Sequence, residues 1–278
     1  MSRPRLTRRG RISLTATAAV ILATAVLVPV LTPDDSGDER RTTLVVPEGR
    51  RAGQIYRSVD EALRLPAGTT VKALATAKLP LPKTAGGNPE GYLFPATYPI
   101  DPSTTPAGLL AYMVSTAHQR FGSGQHSGST SGAAADTTHY RTVTIASIVQ
   151  AEADTAADMG KVARVVQNRL ALGMPLQMDS TVNYALNRST LDTSHHDTKT
   201  DSPYNTYARK GLPPTPIGNP GEEAMNAARN PPRGDWLYFV TVRPGDTRFT
   251  HTYAEHRENV AEFNRNRAAD IAAATAHG

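Results

Sequence analysis

The 278-residue chain contains no cysteine. That excludes disulfides, thiolate metal sites and a cysteine nucleophile, and it leaves the compartment open. Other chemistries lack their signatures as well. There is no G-x-S-x-G nucleophile elbow, and Gly-Asn-Pro-Gly at 218–221 is followed by no G-K-[ST] phosphate-binding run. His195 and His196 fall in the polar stretch 189–201 without the H-E-x-x-H spacing of a zinc helix, so they read as solvated loop. Beyond the N-terminus no Lys/Arg cluster alternates with aromatics, so nucleic acid is not an expected partner. No metal or cofactor is expected, and no internal repeat is evident.

What is present begins with a charge asymmetry. The formal net charge is +5, and Arg3, Arg5, Arg8, Arg9 and Arg11 account for it, leaving the remainder near neutral. Residues 12–31 follow without a single charge. A run of about 20 apolar residues can cross a bilayer as a helix, and the arginines belong on its cytoplasmic side. The expectation is a single-pass anchor over 1–33 with everything after Pro33 extracytoplasmic. A cleaved signal peptide is the rival, but no clear A-x-A site follows the apolar run.

The polar stretch 34–41 reads as a tether. Residues 42–46 are β-rich and end in a Pro-Glu-Gly turn signal. Ile55, Val59, Ala62 and Leu63 then follow helical spacing, and 70–77 suggests a second short helix. Together 42–85 make a small module, too small to be comfortable alone. Residues 86–268 form the larger domain, with 269–278 as a tail. In that domain, 90–100 mixes aromatics with Gly and Pro and reads as loop and extended chain. A helix is expected over 107–121, a Gly/Ser-rich surface loop over 122–136, and a strongly helical pattern from Thr142. Asp158 is the expected cap of the next helix, which Gly173 ends. Another short helix begins at Asp179. The Pro- and Gly-rich run 202–219 is loop, 222–229 a short helix, and 236–242 a buried strand pairing with 248–250 across Pro244-Gly245-Asp246. Residues 253–268 are the last helix. The fold class is α+β.

Glu152 is the first candidate for chemistry. It extends the apolar stripe of Ile145, Ile148 and Val149, so its carboxyl faces an apolar setting that favours the protonated form. That suits a general acid. The plainer reading is a half-buried glutamate paired with Arg164 or Arg169. Glu90 opens the aromatic loop, where Tyr92, Phe94 and Tyr98 offer either a platform for sugar rings or an anchor into the core. Asp179 most simply caps its helix. Gln177, Tyr204, Asn205 and Tyr207 are uncharged hydrogen-bonding groups suited to a carbohydrate cleft or to stabilising turns.

Several motifs together resemble a known family. EGYLFPATY at 90–98, ASIVQAEA at 146–153, NRLALGMPLQMDSTVNYAL at 168–186, SPYNTYARKGLPPTPIGNPG at 202–221 and DWLYFVTV at 235–242, then FTHTYAEH, stand in the order and spacing of the MltG (YceG-like) endolytic murein transglycosylases. VVPEGRRAGQIYRSV at 45–59 resembles the LysM-like module that precedes the catalytic domain there. The resemblance implies a membrane-anchored lytic transglycosylase that cuts the β-1,4 bond between N-acetylmuramic acid and N-acetylglucosamine, leaves 1,6-anhydro ends and works near cell-wall synthases. It implies Glu152 as acid/base, with Glu90, Tyr92, Gln177, Asp179, Tyr204, Asn205 and Tyr207 lining the cleft. A glycan-binding scaffold without catalysis is the alternative. Where the family often has E-K-E, this chain has Gln150-Ala151-Glu152, so a second acid at 150 is not required. Ser180 and Thr215 replace a frequent proline and a frequent glycine.

Overall fold

The computed structural model describes residues 42–122, 133–188 and 194–276. The expected membrane span, the tether and most of the Gly/Ser-rich run lie outside the described residues. Among the described residues no helix is long and apolar enough to cross a membrane.

The architecture is α+β, with eight α-helices and two small sheets among the described residues. β1 (Thr42–Val45) runs antiparallel to β2 (Thr97–Ile100), pairing Thr42 with Ile100 and Val45 with Thr97. Between them lies α1 (Ala52–Ala62), which buries Ile55, Tyr56 and Val59 at helical spacing. α2 (Thr69–Leu74) is begun by Gly68. The buried Asp60 carboxylate takes the Gly68 N–H at 2.7 Å and the Thr70 N–H at 2.8 Å, satisfying donors that a helix start leaves over. α3 (Pro106–Phe121) starts as its sequence dictates. Thr105 accepts the Gly108 N–H, Pro106 occupies the first turn, and Leu109, Leu110, Met113, Val114 and Ala117 turn inward.

α4 (Ala133–Glu152) is the central helix; Val143, Ala146, Ile148 and Val149 are fully buried on it, and it packs against α5 (Ala156–Ala171) and α7 (Glu222–Arg229). It starts nine residues before the expected Thr142. The added turns are Ala-rich and carried by intrinsic propensity, with no apolar period to announce them. The cap of α5 is Thr155, which accepts the Asp158 N–H at 3.2 Å, so Asp158 is a first-turn acid and not the cap. α6 (Asp179–Ala185) is a short helix between two loops. β3 (Tyr238–Arg243) and β4 (Asp246–Thr250) form the expected hairpin, with an irregularity between Thr241 and Arg243. β3 is half-buried, and only Val242 on it is buried, so the expected buried strand is corrected to a surface hairpin. α8 (Tyr253–Ala276) packs on β3 and extends through most of the stretch expected to be a tail.

Gly91 shows how tightly 90–98 is held. Its φ is +88°, and a Cβ there would sit 2.6 Å from Pro216 and 2.8 Å from Val143. Only glycine meets both demands.

Candidate active site

Glu152 is the last residue of α4, one turn past Ile148 and Val149. It is partly buried. Burial pushes its carboxyl upward, two hydrogen bonds from Ser180 pull it down, and the nearby Asp179 charge raises it again; the net direction is up. The Ser180 hydroxyl donates to Oε1 at 2.6 Å, with the Ser180 N–H at 3.4 Å. The ion-pair reading is corrected by where the arginines go. Arg164 donates to the Pro232 carbonyl at 2.6 Å and the Pro231 carbonyl at 2.9 Å. Arg169 donates to the Leu237 carbonyl at 2.6 Å and the Leu176 carbonyl at 2.7 Å. Among the described residues Glu152 makes no ion pair.

Beside it stand Ser180 and Asp179 in the first turn of α6, and Tyr207 from the loop that follows. Asp179 does not cap its helix, since the cap position is Met178. Its Oδ1 instead accepts the Tyr207 hydroxyl at 2.6 Å. Gln177 is exposed and sits at φ +53°, a left-handed backbone uncommon outside glycine. Its N–H is held by the Thr206 carbonyl at 3.0 Å. Strain of this kind collects at functional sites. Tyr204 lies with its ring 4.9 Å from that of Tyr184, and its hydroxyl shares a hydrogen bond with Thr215 at 2.9 Å.

Two expected cleft residues are elsewhere. Tyr92 is fully buried beside Tyr140, with ring centroids 6.4 Å apart, and Phe94 and Tyr98 are buried as well. The aromatic loop therefore anchors the core and offers no sugar platform. Asn205 is fully buried too; its amide donates to the Thr198 and Thr200 carbonyls at 3.0 and 2.8 Å and accepts the Tyr207 N–H at 3.0 Å. It shapes the loop that presents Tyr204 and Tyr207.

Glu90 is also buried, but its surroundings differ from those of Glu152. Oε1 accepts the Ala52 N–H at 2.9 Å and the Asn219 amide at 3.0 Å, and Oε2 accepts the Tyr184 hydroxyl at 3.0 Å. Burial raises its pKa to about 7 against the pull of these donors and of Arg51. The Ala52 N–H belongs to the first turn of α1, so Glu90 closes that helix end from outside. Asn219, which sequence reasoning did not single out, ties the arrangement together. Fully buried, it also accepts the Leu93 N–H at 2.7 Å and donates to the Arg50 carbonyl at 2.8 Å. Only its place in a Gly-Asn-Pro-Gly loop hinted at a backbone role. Gln150 is likewise structural, accepting the Gly221 N–H at 2.9 Å where α7 begins.

α6 connects the two carboxylates. Ser180 meets Glu152 and Tyr184 meets Glu90, and residues four apart lie on the same helix face. The Glu152 end thus offers a carboxyl held toward its neutral form, a hydroxyl fixed on it, and the Asp179–Tyr207 pair beside it: the elements of one-residue acid/base chemistry.

Known proteins resemble the chain in sequence and in fold. The sequence profile of the YceG-like family matches residues 13–262. A Bacillus subtilis (strain 168) protein named endolytic murein transglycosylase is 38% identical over 173 residues, covering 61% of this chain and 46% of that protein. One of the same name from Streptococcus pneumoniae serotype 2 (strain D39) is 33% identical over 256 residues, covering 82% of this chain and 46% of its own. The chain therefore spans about half the length of the curated relatives it matches. The crystal structure of a YceG-like protein from Listeria monocytogenes superposes with a TM-score of 0.64 at 30% identity, over 78% of this chain and 75% of that one. The profile covers nearly the whole sequence, the solved fold agrees, and the chain belongs to the YceG-like family.

Proposed function

We propose that the chain is an endolytic murein transglycosylase with Glu152 as its acid/base. The observation that carries this reading is the Glu152 carboxyl: partly buried at the end of an apolar helix, pushed upward by burial, without a cationic partner among the described residues, and fixed by the Ser180 hydroxyl at 2.6 Å. Protonated Glu152 donates its proton to the oxygen of the β-1,4 bond between N-acetylmuramic acid and N-acetylglucosamine, and the C1–O bond breaks. The carboxylate then takes the proton of the muramic acid 6-hydroxyl, whose oxygen bonds to C1 and closes a 1,6-anhydro ring. Glu152 ends protonated, ready for the next cycle. The attacking hydroxyl is tethered to the reacting carbon, so proximity replaces the second carboxylate that a hydrolase needs. Asp179 and Tyr207, the groups charged or hydrogen-bonded beside Glu152, supply the polar surroundings of the developing charge.

Product mass tests the reading. Purified glycan strands treated with the chain should yield fragments ending in anhydro-muramic acid, one water lighter than hydrolysis products, and Glu152→Gln should release them at least about a hundredfold more slowly. Hydrated ends would make the enzyme a muramidase. Intact strands would leave it a glycan-binding protein.

The uncharged run 12–31 behind five arginines supports a single-pass anchor with its N-terminus cytoplasmic and the folded part outside. On this reading, 42–85 acts as a LysM-like module that holds or orients glycan for the catalytic residues within 86–268. Nascent strands beside cell-wall synthases are the natural substrate.

A further inference from the structure

The Glu90 side of α6 opens into a 390 Å³ pocket whose walls are the first turns of α1, Glu90, Tyr184 and Asn187. Most of its charge is already matched. The Arg51 guanidinium donates to the Arg188 carbonyl at 2.8 Å and lies 5.0 Å over the Tyr184 ring. Both Glu90 oxygens are occupied by the Ala52, Asn219 and Tyr184 donors. Arg57 is different: it lines the same pocket, is exposed, and has no hydrogen bond or ion pair among the described residues. Three residues before it on the same helix face, Gln54 spends Oε1 on the Arg51 N–H at 2.9 Å, which leaves its NH2 as a donor. Asn187 adds an exposed amide from a left-handed backbone position at φ +49°. A Cβ added at Gly53 would meet nothing within 4 Å, so there is open room between these donors.

We propose that this pocket binds a carboxylate of the peptide stems carried by the glycan strand, with Arg57 as its recognising cation; this rests on the transglycosylase reading. A guanidinium fork flanked by amide donors, in a pocket whose one lining carboxylate already holds three protein donors, is a donor set for a planar oxyanion. Its position fits the source. Ser180 at the acid and Tyr184 at the pocket are four residues apart on α6, about 6 Å of helical rise. A strand with a muramic acid at Glu152 holds the stem of that sugar or its neighbour close to the pocket.

The test uses the full chain and two substrates: strands bearing stems, and the same strands stripped by an amidase. The wild type should show a KM about tenfold lower on stem-bearing strands, the scale of one charge-assisted hydrogen bond. Arg57→Ala should narrow that gap, and Arg57→Lys should restore part of it. Gly53→Trp, which fills the pocket and leaves Arg57 in place, should narrow it too. A gap of equal size in the wild type and in both pocket variants overturns the proposal, as does the lack of any gap. A second readout is independent of cutting: free stem peptide titrated into the wild type should shift the backbone amide resonances of residues 51–57. If those shift while neither substrate is cut, the transglycosylase reading falls and the pocket stands. If strands are cut but no resonance moves, the pocket alone falls. Inorganic phosphate competing as well as the peptide would replace the carboxylate assignment by a general oxyanion site.

Discussion

Glu90 and Glu152 touch α6 one turn apart, and burial raises both, yet their surroundings differ. Glu90 is held by three donors from three separate segments, so neither of its oxygens is free of a protein donor. Glu152 is held by one serine, leaving Oε2 uncommitted among the described hydrogen bonds. A buried carboxylate with a protein donor on each oxygen works as a staple. One that keeps an oxygen free can move a proton. On the proposed assignment, burial and a raised pKa alone do not separate the acid from the structural carboxylate; the uncommitted oxygen does.

The largest expected effect bears on that division directly. Glu152→Gln should lower kcat by about 10²–10⁴-fold, the usual worth of a general acid/base, and change unfolding free energy by less than about 1 kcal/mol. Release of anhydro ends and a denaturant melt report the two. Glu90→Ala should do the reverse. It strands three donors, which costs about 3 kcal/mol of stability in the same melt, and activity should fall only with the folded fraction. A stable, inactive Glu90→Ala protein would break the comparison.

Next in size is the pH dependence of stability. The Glu90 carboxyl titrates near 7 when folded, against its ordinary 4.5, so between these values the folded chain binds more protons than the unfolded one. Stability should therefore fall as pH rises from about 4.5 to about 7, by at most about 3 kcal/mol, and then level off. Glu152 shifts in the same direction, so Glu90→Gln should flatten the slope without abolishing it. Smallest is Ser180→Ala. Without that hydroxyl the Glu152 carboxyl rises further, and the alkaline limb of the rate profile should move to higher pH with little change in the melt.

The sequence shows features that repeat along a helix or stand in a motif. α1, α3, α7, the β3–β4 hairpin and the inward stripe ending at Glu152 follow from spacing and turn residues. Contacts between distant segments are not written there. Ser180 reads as a loop replacement, whereas the fold sets its hydroxyl on an oxygen 28 residues away in sequence. Tyr92 shares a motif with Glu90 and looks like a sugar platform, because an aromatic loop that lines a groove and one that plugs a core have the same composition. The early start of α4 and the extension of α8 were hidden for another reason: Ala-rich turns form by propensity and leave no apolar stripe to count.

Asn219 carries a consequence for the order in which the molecule is assembled. Its side chain and backbone secure the Gly49–Arg50 turn that leads into α1, and Glu90 closes the start of that helix. The strand just before it finds its partner only at 97–100. As the chain is made from its N-terminus, α1 emerges early but must wait for about 170 more residues before its entry turn is locked. Until then α1 lacks the partners that fix its start, so the first described helix to leave the ribosome is among the last to be secured.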